Sequence, residues 1–108
     1  MNARLYYWQR MTAAVMVPLI AVHLVTMIYA IGNGLSAAEI LGRTQGSVVW
    51  ALFYGGFVAA ASVHAAIGVR TVIGEWVDVR GKAQDGFAVI FCIVLLGLGG
   101  RAGVAVVM

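Results

Sequence analysis

Two histidines, His23 and His64, lie within long apolar stretches of this 108-residue chain. Polar side chains are costly in a lipid environment, so each of these histidines requires a specific partner. A neutral imidazole can ligate haem iron, or it can form a hydrogen bond with a neighbouring helix. Both interpretations are open for both residues.

The surroundings of His64 favour a ligand role for its imidazole. Residues four apart lie along one face of a helix, and the row that contains His64 reads Gly56, Ala60, His64, Gly68. A porphyrin ring needs such clearance on the helix that carries its axial ligand, although rows of small residues also serve helix packing. Ligation of the iron by two histidines leaves no open position, which suits electron transfer rather than oxygen chemistry.

The elements that carry these histidines are indicated by three runs without charge, residues 11–38, 48–69 and 86–100. The chain is 63% hydrophobic and 10% charged, whereas a soluble domain has about a quarter charged residues. About 20 helical residues cross a bilayer core. The third run is long enough only if Arg101 extends to the far headgroups and the helix continues towards Met108.

The sequence therefore predicts an all-α membrane protein of one domain, residues 1–108, with spans at about 11–31, 48–73 and 86–106. The first run is too long for the apolar region of a signal peptide, so we expect it to be retained. Three such helices bury little against one another. We therefore expect them to pack with a partner subunit into a helical bundle.

Polar segments connect the predicted spans. In the first loop, residues 32–46, Ser36 and Glu39 form a capping-box pattern that predicts a short surface helix. The second loop, residues 74–85, is the most polar stretch and the best candidate for a docking surface. Residues 5–10 contain Tyr and Trp and are predicted to form an interfacial segment before the first helix.

The seven basic residues mark the ends of the spans and form no cluster, which argues against nucleic-acid binding. Positive residues favour the cytoplasmic side. Basic residues precede the first span and surround the second loop, whereas the first loop holds only Arg43. The N-terminus is predicted to be cytoplasmic, on the basis of Arg4, Arg10, Arg70, Arg80 and Lys82.

The two histidines are predicted to lie at different depths. His64 precedes Arg70 by six residues, about 9 Å of helix, and His23 follows Arg10 by 13 residues, about 20 Å. Two haems, each completed by a second subunit, fit these depths better than one haem shared within the chain.

Two segments resemble the membrane-anchor (cytochrome b) subunits of succinate dehydrogenase and fumarate reductase. One is His-Ala-Ala-Ile-Gly-Val-Arg, residues 64–70, followed by Glu75-Trp76. The other is Tyr-Tyr-Trp-Gln-Arg-Met-Thr-Ala, residues 6–13, where Arg10 matches an arginine that faces the quinone and a haem propionate in that family. Those anchors are three-helix chains of about this length, and complexes often contain two of them.

The resemblance implies a subunit of the plasma (inner) membrane that is not catalytic alone. It would hold a flavoprotein subunit and an iron–sulfur subunit on the membrane, beside a second anchor subunit, in a complex of electron transport and the tricarboxylic acid cycle. The implied cofactor is haem b, one group or two. The implied cofactor-binding residues are His64 and His23, as iron ligands, together with Arg10 and Arg70.

The resemblance also implies a quinone site, with quinone as the substrate, bordered by Arg10, Trp76, Glu75 and Gln9. Gln9 and Trp76 depart from the family pattern, which often has histidine and tyrosine at these positions, so the quinone contacts are not transferred as a set. A haem-free anchor of the same kind, and an unrelated small transporter or assembly protein, are the alternative interpretations. Trp76 and Arg10 could also be interfacial anchors.

Overall fold

The computed structural model describes residues 2–108, which form four α-helices and no strand. The helices are α1 (Ala3–Asn33), α2 (Ala37–Thr44), α3 (Val48–Trp76) and α4 (Lys82–Val107). Three of them, α1, α3 and α4, are long and apolar enough to cross a membrane. The predicted all-α fold with three transmembrane helices is confirmed.

Helix α1 begins earlier than the sequence predicted. The side chain of Asn2 accepts a hydrogen bond from the Leu5 amide at 2.9 Å, which caps the first turn. Residues 5–10 are therefore part of the helix, and the prediction of a separate segment before it is wrong. At 31 residues α1 is about 46 Å long, which accounts for the 47 Å long axis of the molecule.

The predicted short helix in the first loop is confirmed as α2. Its capping box is complete, because the Ser36 hydroxyl accepts from the Glu39 amide and the Glu39 carboxylate accepts from the Ser36 amide. The residues after α2 contact the end of α4. The Gly46 amide donates to the Val107 carbonyl at 2.8 Å, and the Gln45 side chain donates to the Met108 carbonyl at 2.9 Å.

The second loop is shorter than predicted, since it comprises only residues 77–81 between α3 and α4. Asp78 and Gly81 have positive φ angles, 58° and 70°, which allow the chain to reverse tightly. The side-chain amide of Gln84 donates to the Arg70 carbonyl at 2.9 Å, which ties the first turn of α4 to α3.

Helix α3 is the central element, and it packs against both α4 and α1. Among the described residues only three apolar side chains are buried, namely Ala66, Ile67 and Ala88. Large apolar side chains cover the outside of all three long helices. A surface of this kind suits lipid and partner helices.

Candidate functional site

The imidazole of His64 lies at the contact between α3 and α1. Its Nδ1 atom is 3.2 Å from the hydroxyl oxygen of Thr12 and 3.2 Å from the backbone carbonyl oxygen of Gln9. The Thr12 side chain is buried, and its hydroxyl donates to the Trp8 carbonyl at 2.7 Å. Two residues of α1 thus fix one edge of the His64 ring.

These contacts favour one ring nitrogen of neutral His64 as the carrier of the proton. A carbonyl oxygen only accepts hydrogen bonds, so a bond to the Gln9 carbonyl needs the proton on Nδ1. The Thr12 hydroxyl can accept from Nδ1 while it donates to the Trp8 carbonyl at 2.7 Å or the Gln9 carbonyl at 3.1 Å. With Nδ1 as the donor, the lone pair of the neutral ring is on Nε2. Within residues 2–108, Nε2 has no hydrogen-bond partner, and it is not sealed from the surface. The arrangement leaves Nε2 available to a ligand.

The Gln9 side chain covers part of the predicted groove beside His64. A methyl group in place of the Gly68 hydrogen would lie 3.6 Å from Nε2 of Gln9. The Oε1 atom of Gln9 is buried and has no hydrogen-bond partner among the described residues. Gln9 thus contributes a backbone acceptor to His64 and holds an unsatisfied side-chain oxygen nearby.

Sequence reasoning missed Thr12, the second partner of His64. A threonine on an apolar helix commonly bonds to the carbonyl four residues before it, and Thr12, Thr26 and Thr71 all do so. Thr12 lies within residues 6–13, one of the two segments quoted above for their resemblance, but nothing in that segment marks its hydroxyl as a partner of His64. Its contact with His64 depends on how α1 and α3 align.

The surroundings of His23 differ from those of His64. Its ring lies edge-on to Phe57 at 5.5 Å and to Tyr54 at 6.0 Å. Its Nδ1 atom is buried and has no hydrogen-bond partner in the described part of the chain. The ring also lines a cavity of about 630 Å³ that reaches Arg43 and Trp50. Its tautomer is therefore not fixed by this chain.

The two histidines lie at different levels of the bundle. His64 is level with Thr12, and His23 is 11 residues further along α1, about 16 Å. The histidines therefore lie at different levels, as the sequence predicted, and their spacing exceeds the difference of about 11 Å between the predicted depths. One porphyrin cannot have both residues as its axial ligands in this arrangement.

The residues assigned to a quinone site are not brought together. Gln9 is level with Gly68, whereas Trp76 follows Gly68 by eight residues, about 12 Å of helix. Trp76 is 82% exposed at the end of α3, and Glu75 is exposed beside it. The exposed Arg10 lies over the Tyr6 ring, 5.8 Å from its centre. Within residues 2–108, no hydrogen bond or ion pair joins Arg10 to Glu75 or Trp76.

Arg70 lies on a different face of α3 from His64. Six helical residues separate them, which turns Arg70 about 120° around the axis from His64. Its Nε donates to the Asp85 carboxylate at 2.8 Å, and its side chain lines a groove between α1 and α4. The structure thus directs Arg70 to Asp85 rather than to His64.

No group of three or more His, Cys, Asp or Glu residues within 2–108 is placed to hold a metal ion. A bare metal site within the chain would need such a group. An iron porphyrin needs only one axial ligand from each side. The imidazole of His64 could supply one of these two ligands.

Comparison with known proteins identifies a family for this chain. A family model described as succinate dehydrogenase/fumarate reductase transmembrane subunit matches residues 2–99. No curated protein and no solved structure gives a significant match. The matched range includes α1, α2, α3 and most of α4.

Proposed function

The chain belongs to the succinate dehydrogenase/fumarate reductase transmembrane subunit family, and from this premise we propose that it binds haem b through His64 and borders a quinone site. The family and the three spans give its general role, which is that of a membrane subunit of a succinate dehydrogenase or fumarate reductase complex. The proposed complex contains a second anchor subunit, an iron–sulfur subunit and a flavoprotein subunit.

The observation that carries the haem proposal is the hydrogen bonding of His64. Histidines that ligate metals usually donate their other ring N–H to a carbonyl or carboxylate, which fixes the tautomer and the ring orientation. Nδ1 of His64 is 3.2 Å from the Gln9 carbonyl oxygen, and Nε2 has no partner within residues 2–108. This is the arrangement an axial ligand requires, so the residues present fit haem.

Haem, when bound, supplies a one-electron carrier between the iron–sulfur subunit and quinone. His64 would hold the iron through Nε2, and the Gln9 carbonyl and Thr12 hydroxyl would orient the imidazole and raise its basicity. No second histidine lies at the level of His64. We therefore propose that the other axial ligand comes from the second anchor subunit.

For the quinone site, we propose that Trp76 and Glu75 form one border and that Gln9 and Arg10 form a deeper one. The exposed Trp76 ring can stack on a planar ring, and the Arg10 guanidinium can donate a hydrogen bond to a carbonyl oxygen. Because the two borders lie about 12 Å apart along the helices, partner subunits are expected to complete the site. Arg70 remains a predicted cofactor contact, although its present partner is Asp85.

The distribution of charge supports a cytoplasmic N-terminus in a plasma (inner) membrane. The start of α1 and the α3–α4 turn lie at the same end of the bundle, because Leu5 and Trp8 line one groove with Arg70 and Asp85. Five of the seven basic residues are at this end, and only Arg43 and Arg101 are at the other. The more positive end is expected to face the cytoplasm.

The test of the haem proposal is the haem content of the complex purified through a tag on this chain. Wild type, His64→Ala and His23→Ala are compared by reduced-minus-oxidised spectra and by extracted haem per complex. We expect a b-type spectrum in wild type and the loss of one haem in His64→Ala. A wild-type complex without that spectrum, or an unchanged haem content in His64→Ala, would overturn the proposal.

The same experiment decides the role of His23. A second haem on His23 predicts that His23→Ala loses a haem that His64→Ala retains. Its buried Nδ1, which lacks a partner within this chain, would then be satisfied from a partner subunit. An unchanged haem content in His23→Ala assigns His23 to helix packing.

A further inference from the structure

A groove runs between α1 and α4 at the end of the bundle that carries the α3–α4 turn. Leu5 and Trp8 of α1 form one wall, and Val89 and Cys92 of α4 form the other. Its floor is the buried surface of α3 around Ala66 and Ile67. The groove has a volume of about 560 Å³, and its lining is almost entirely apolar.

The groove contains one pair of charged side chains, Arg70 and Asp85. Nε of Arg70 lies 2.8 Å from Oδ1 of Asp85, and the side chains are 21% and 62% exposed. Arg70 uses only Nε in this pair, so its two terminal nitrogens make no hydrogen bond to any residue in the described chain. Oδ2 of Asp85 has no such bond either. The pair thus offers donors and an acceptor side by side.

We propose that this groove binds a phospholipid whose headgroup carries a phosphate, a primary ammonium and no other charge, that is, a phosphatidylethanolamine. The terminal nitrogens of Arg70 would donate to the phosphate, and the free carboxylate oxygen of Asp85 would accept from the ammonium. One acyl chain would occupy the apolar groove. Apart from Arg70, whose partner here is Asp85, the groove shares no residue with the proposed haem and quinone sites.

The charge of the pair selects the headgroup. Basic pockets between transmembrane helices bind anionic lipids, but Asp85 cancels the charge of Arg70 here. An anionic headgroup would place a negative charge beside Asp85 without a matching cation. A choline headgroup has no N–H to donate to Asp85. The nearest further charges on α3 and α4, Glu75 and Lys82, have opposite signs. Neither of them lines the groove, and neither does Arg4, which precedes Leu5 on α1.

The experiment measures which lipid the purified complex retains. The complex is stripped of lipid in detergent and incubated with equal amounts of phosphatidylethanolamine, phosphatidylcholine and phosphatidylglycerol of identical acyl chains. After gel filtration, the retained lipid is quantified by mass spectrometry. We expect a several-fold preference of wild type for phosphatidylethanolamine, and the absence of this preference would overturn the proposal.

Asp85→Asn tests the headgroup assignment. Without the carboxylate, Arg70 is an unpaired cation, so the preference should change to phosphatidylglycerol. The matched control is Asp78→Asn, which breaks the Arg80–Asp78 pair at 3.0 Å in the exposed α3–α4 turn, away from the groove. It should keep the wild-type preference. Equal ratios of the two lipids in wild type and Asp85→Asn would overturn the assignment.

Val89→Trp tests the acyl chain. Val89 is 56% exposed on the groove wall, so a larger ring can fill the groove without entering the contact between α3 and α4. We expect loss of the retained phosphatidylethanolamine. Val104→Trp, at a 53% exposed position of the same helix outside the groove, should retain it. If Val89→Trp retained phosphatidylethanolamine at the wild-type level, the placement of the acyl chain would be overturned. If the Val89→Trp complex does not assemble, the Asp85→Asn result decides the proposal.

Discussion

Nδ1 of His64 lies 3.2 Å from the backbone carbonyl oxygen of Gln9, across the contact between α1 and α3. The sequence left two interpretations of this histidine, a hydrogen bond between helices and a haem ligand. The geometry makes them compatible, because the hydrogen bond uses Nδ1 and leaves the lone pair of Nε2 free. An imidazole fixed in this way is oriented before any ligand binds.

Thr12→Val should loosen this orientation. The change removes the hydroxyl that accepts from Nδ1 at 3.2 Å, while the side chain keeps its shape. We expect a loss of about 1 kcal/mol in stability. Because Nδ1–H then has one acceptor fewer, the imidazole becomes less basic. The reduction potential of the haem should therefore rise. A thermal melt of the complex and a redox titration of its b-type absorbance measure both effects.

The matched control for Thr12→Val is Thr26→Val. Thr26 is on the same helix, and its hydroxyl also donates to the carbonyl four residues before it, at 2.8 Å, but it does not contact His64. The reduction potential of this variant should equal that of wild type. A potential that moves equally in both variants would mean that the Thr12–His64 contact does not tune the ligand.

Gly99→Ala should weaken the packing of α4 on α3. A Cβ at position 99 would lie 2.7 Å from Cγ1 of Val58 and 3.4 Å from its Cβ. A valine on a helix has one strongly preferred rotamer and cannot turn away. We expect a destabilisation of about 1–3 kcal/mol, seen as a lower melting temperature or a lower yield of the assembled complex.

Gly97→Ala is the control for this contact, because a Cβ at position 97 meets open space. It should not lower stability, and the higher helix propensity of alanine should raise it by up to about 1 kcal/mol. The double variant Gly99→Ala with Val58→Ala should recover part of the loss, since the two residues are in contact. If the loss of stability in the double variant equalled the sum of the losses in the two single variants, the close approach of Gly99 to Val58 would not be the cause of the destabilisation.

The transmembrane helices were predictable from the sequence because lipid tolerates no unpaired backbone, so long runs without charge must be helical. Their ends were less predictable. Residues 5–10 combine aromatic and charged side chains that suit the membrane interface, yet they continue α1 because Asn2 caps the helix ahead of them. The capping box at Ser36 and Glu39 is a local signal, and it predicted α2 correctly.

The contacts between helices could not be predicted, because the long helices are apolar on every side and the sequence marks no inner face. Gly97, Gly99 and Gly100 are alike in the sequence, and only Gly99 meets Val58 closely. The same holds for Thr12, whose contact with His64 follows from the alignment of α1 with α3. Arg70 and His64 lie on different faces of α3 because six residues separate them. The pairing of Arg70 with Asp85 depends on the short α3–α4 turn.

The stability of α2 should depend on pH through Glu39. Hydrogen bonds from the Ser36 hydroxyl and backbone amide, with a smaller contribution from Arg43, lower the pKa of this carboxyl below its ordinary value of 4.5. The ionised form therefore stabilises α2 fully above the ordinary pKa, and this contribution is lost as the pH falls through the lowered one. Amide protection factors of α2, measured by hydrogen exchange at a series of pH values, should fall in that acidic range.

Glu39→Gln provides the control for this titration, because glutamine keeps an acceptor for Ser36 but has no charge to lose. Its protection factors should be lower than those of wild type at neutral pH and independent of pH in the acidic range. Ser36→Ala should also lower protection at neutral pH, since it removes the hydroxyl that caps the helix. If α2 in the Glu39→Gln variant responded to acid as wild type does, another group would be responsible.

Trp76→Ala should weaken the binding of quinone. The ring is 82% exposed at the end of α3, where it can cover a planar substrate at the border of the proposed quinone site. We expect the KM for quinone to rise by about tenfold, which corresponds to about 1.4 kcal/mol. The rate with a water-soluble electron acceptor that bypasses the membrane should be unchanged, and Trp76→Phe should retain most of the affinity.

Tyr7→Ala separates quinone binding from simple anchoring at the membrane interface. Tyr7 is 56% exposed near the start of α1, at the same end of the bundle, and no quinone contact is proposed for it. Its loss should leave the KM for quinone unchanged. If Tyr7→Ala and Trp76→Ala raised that KM equally, the two rings would act alike as interfacial anchors, and Trp76 would have no specific place at the quinone site.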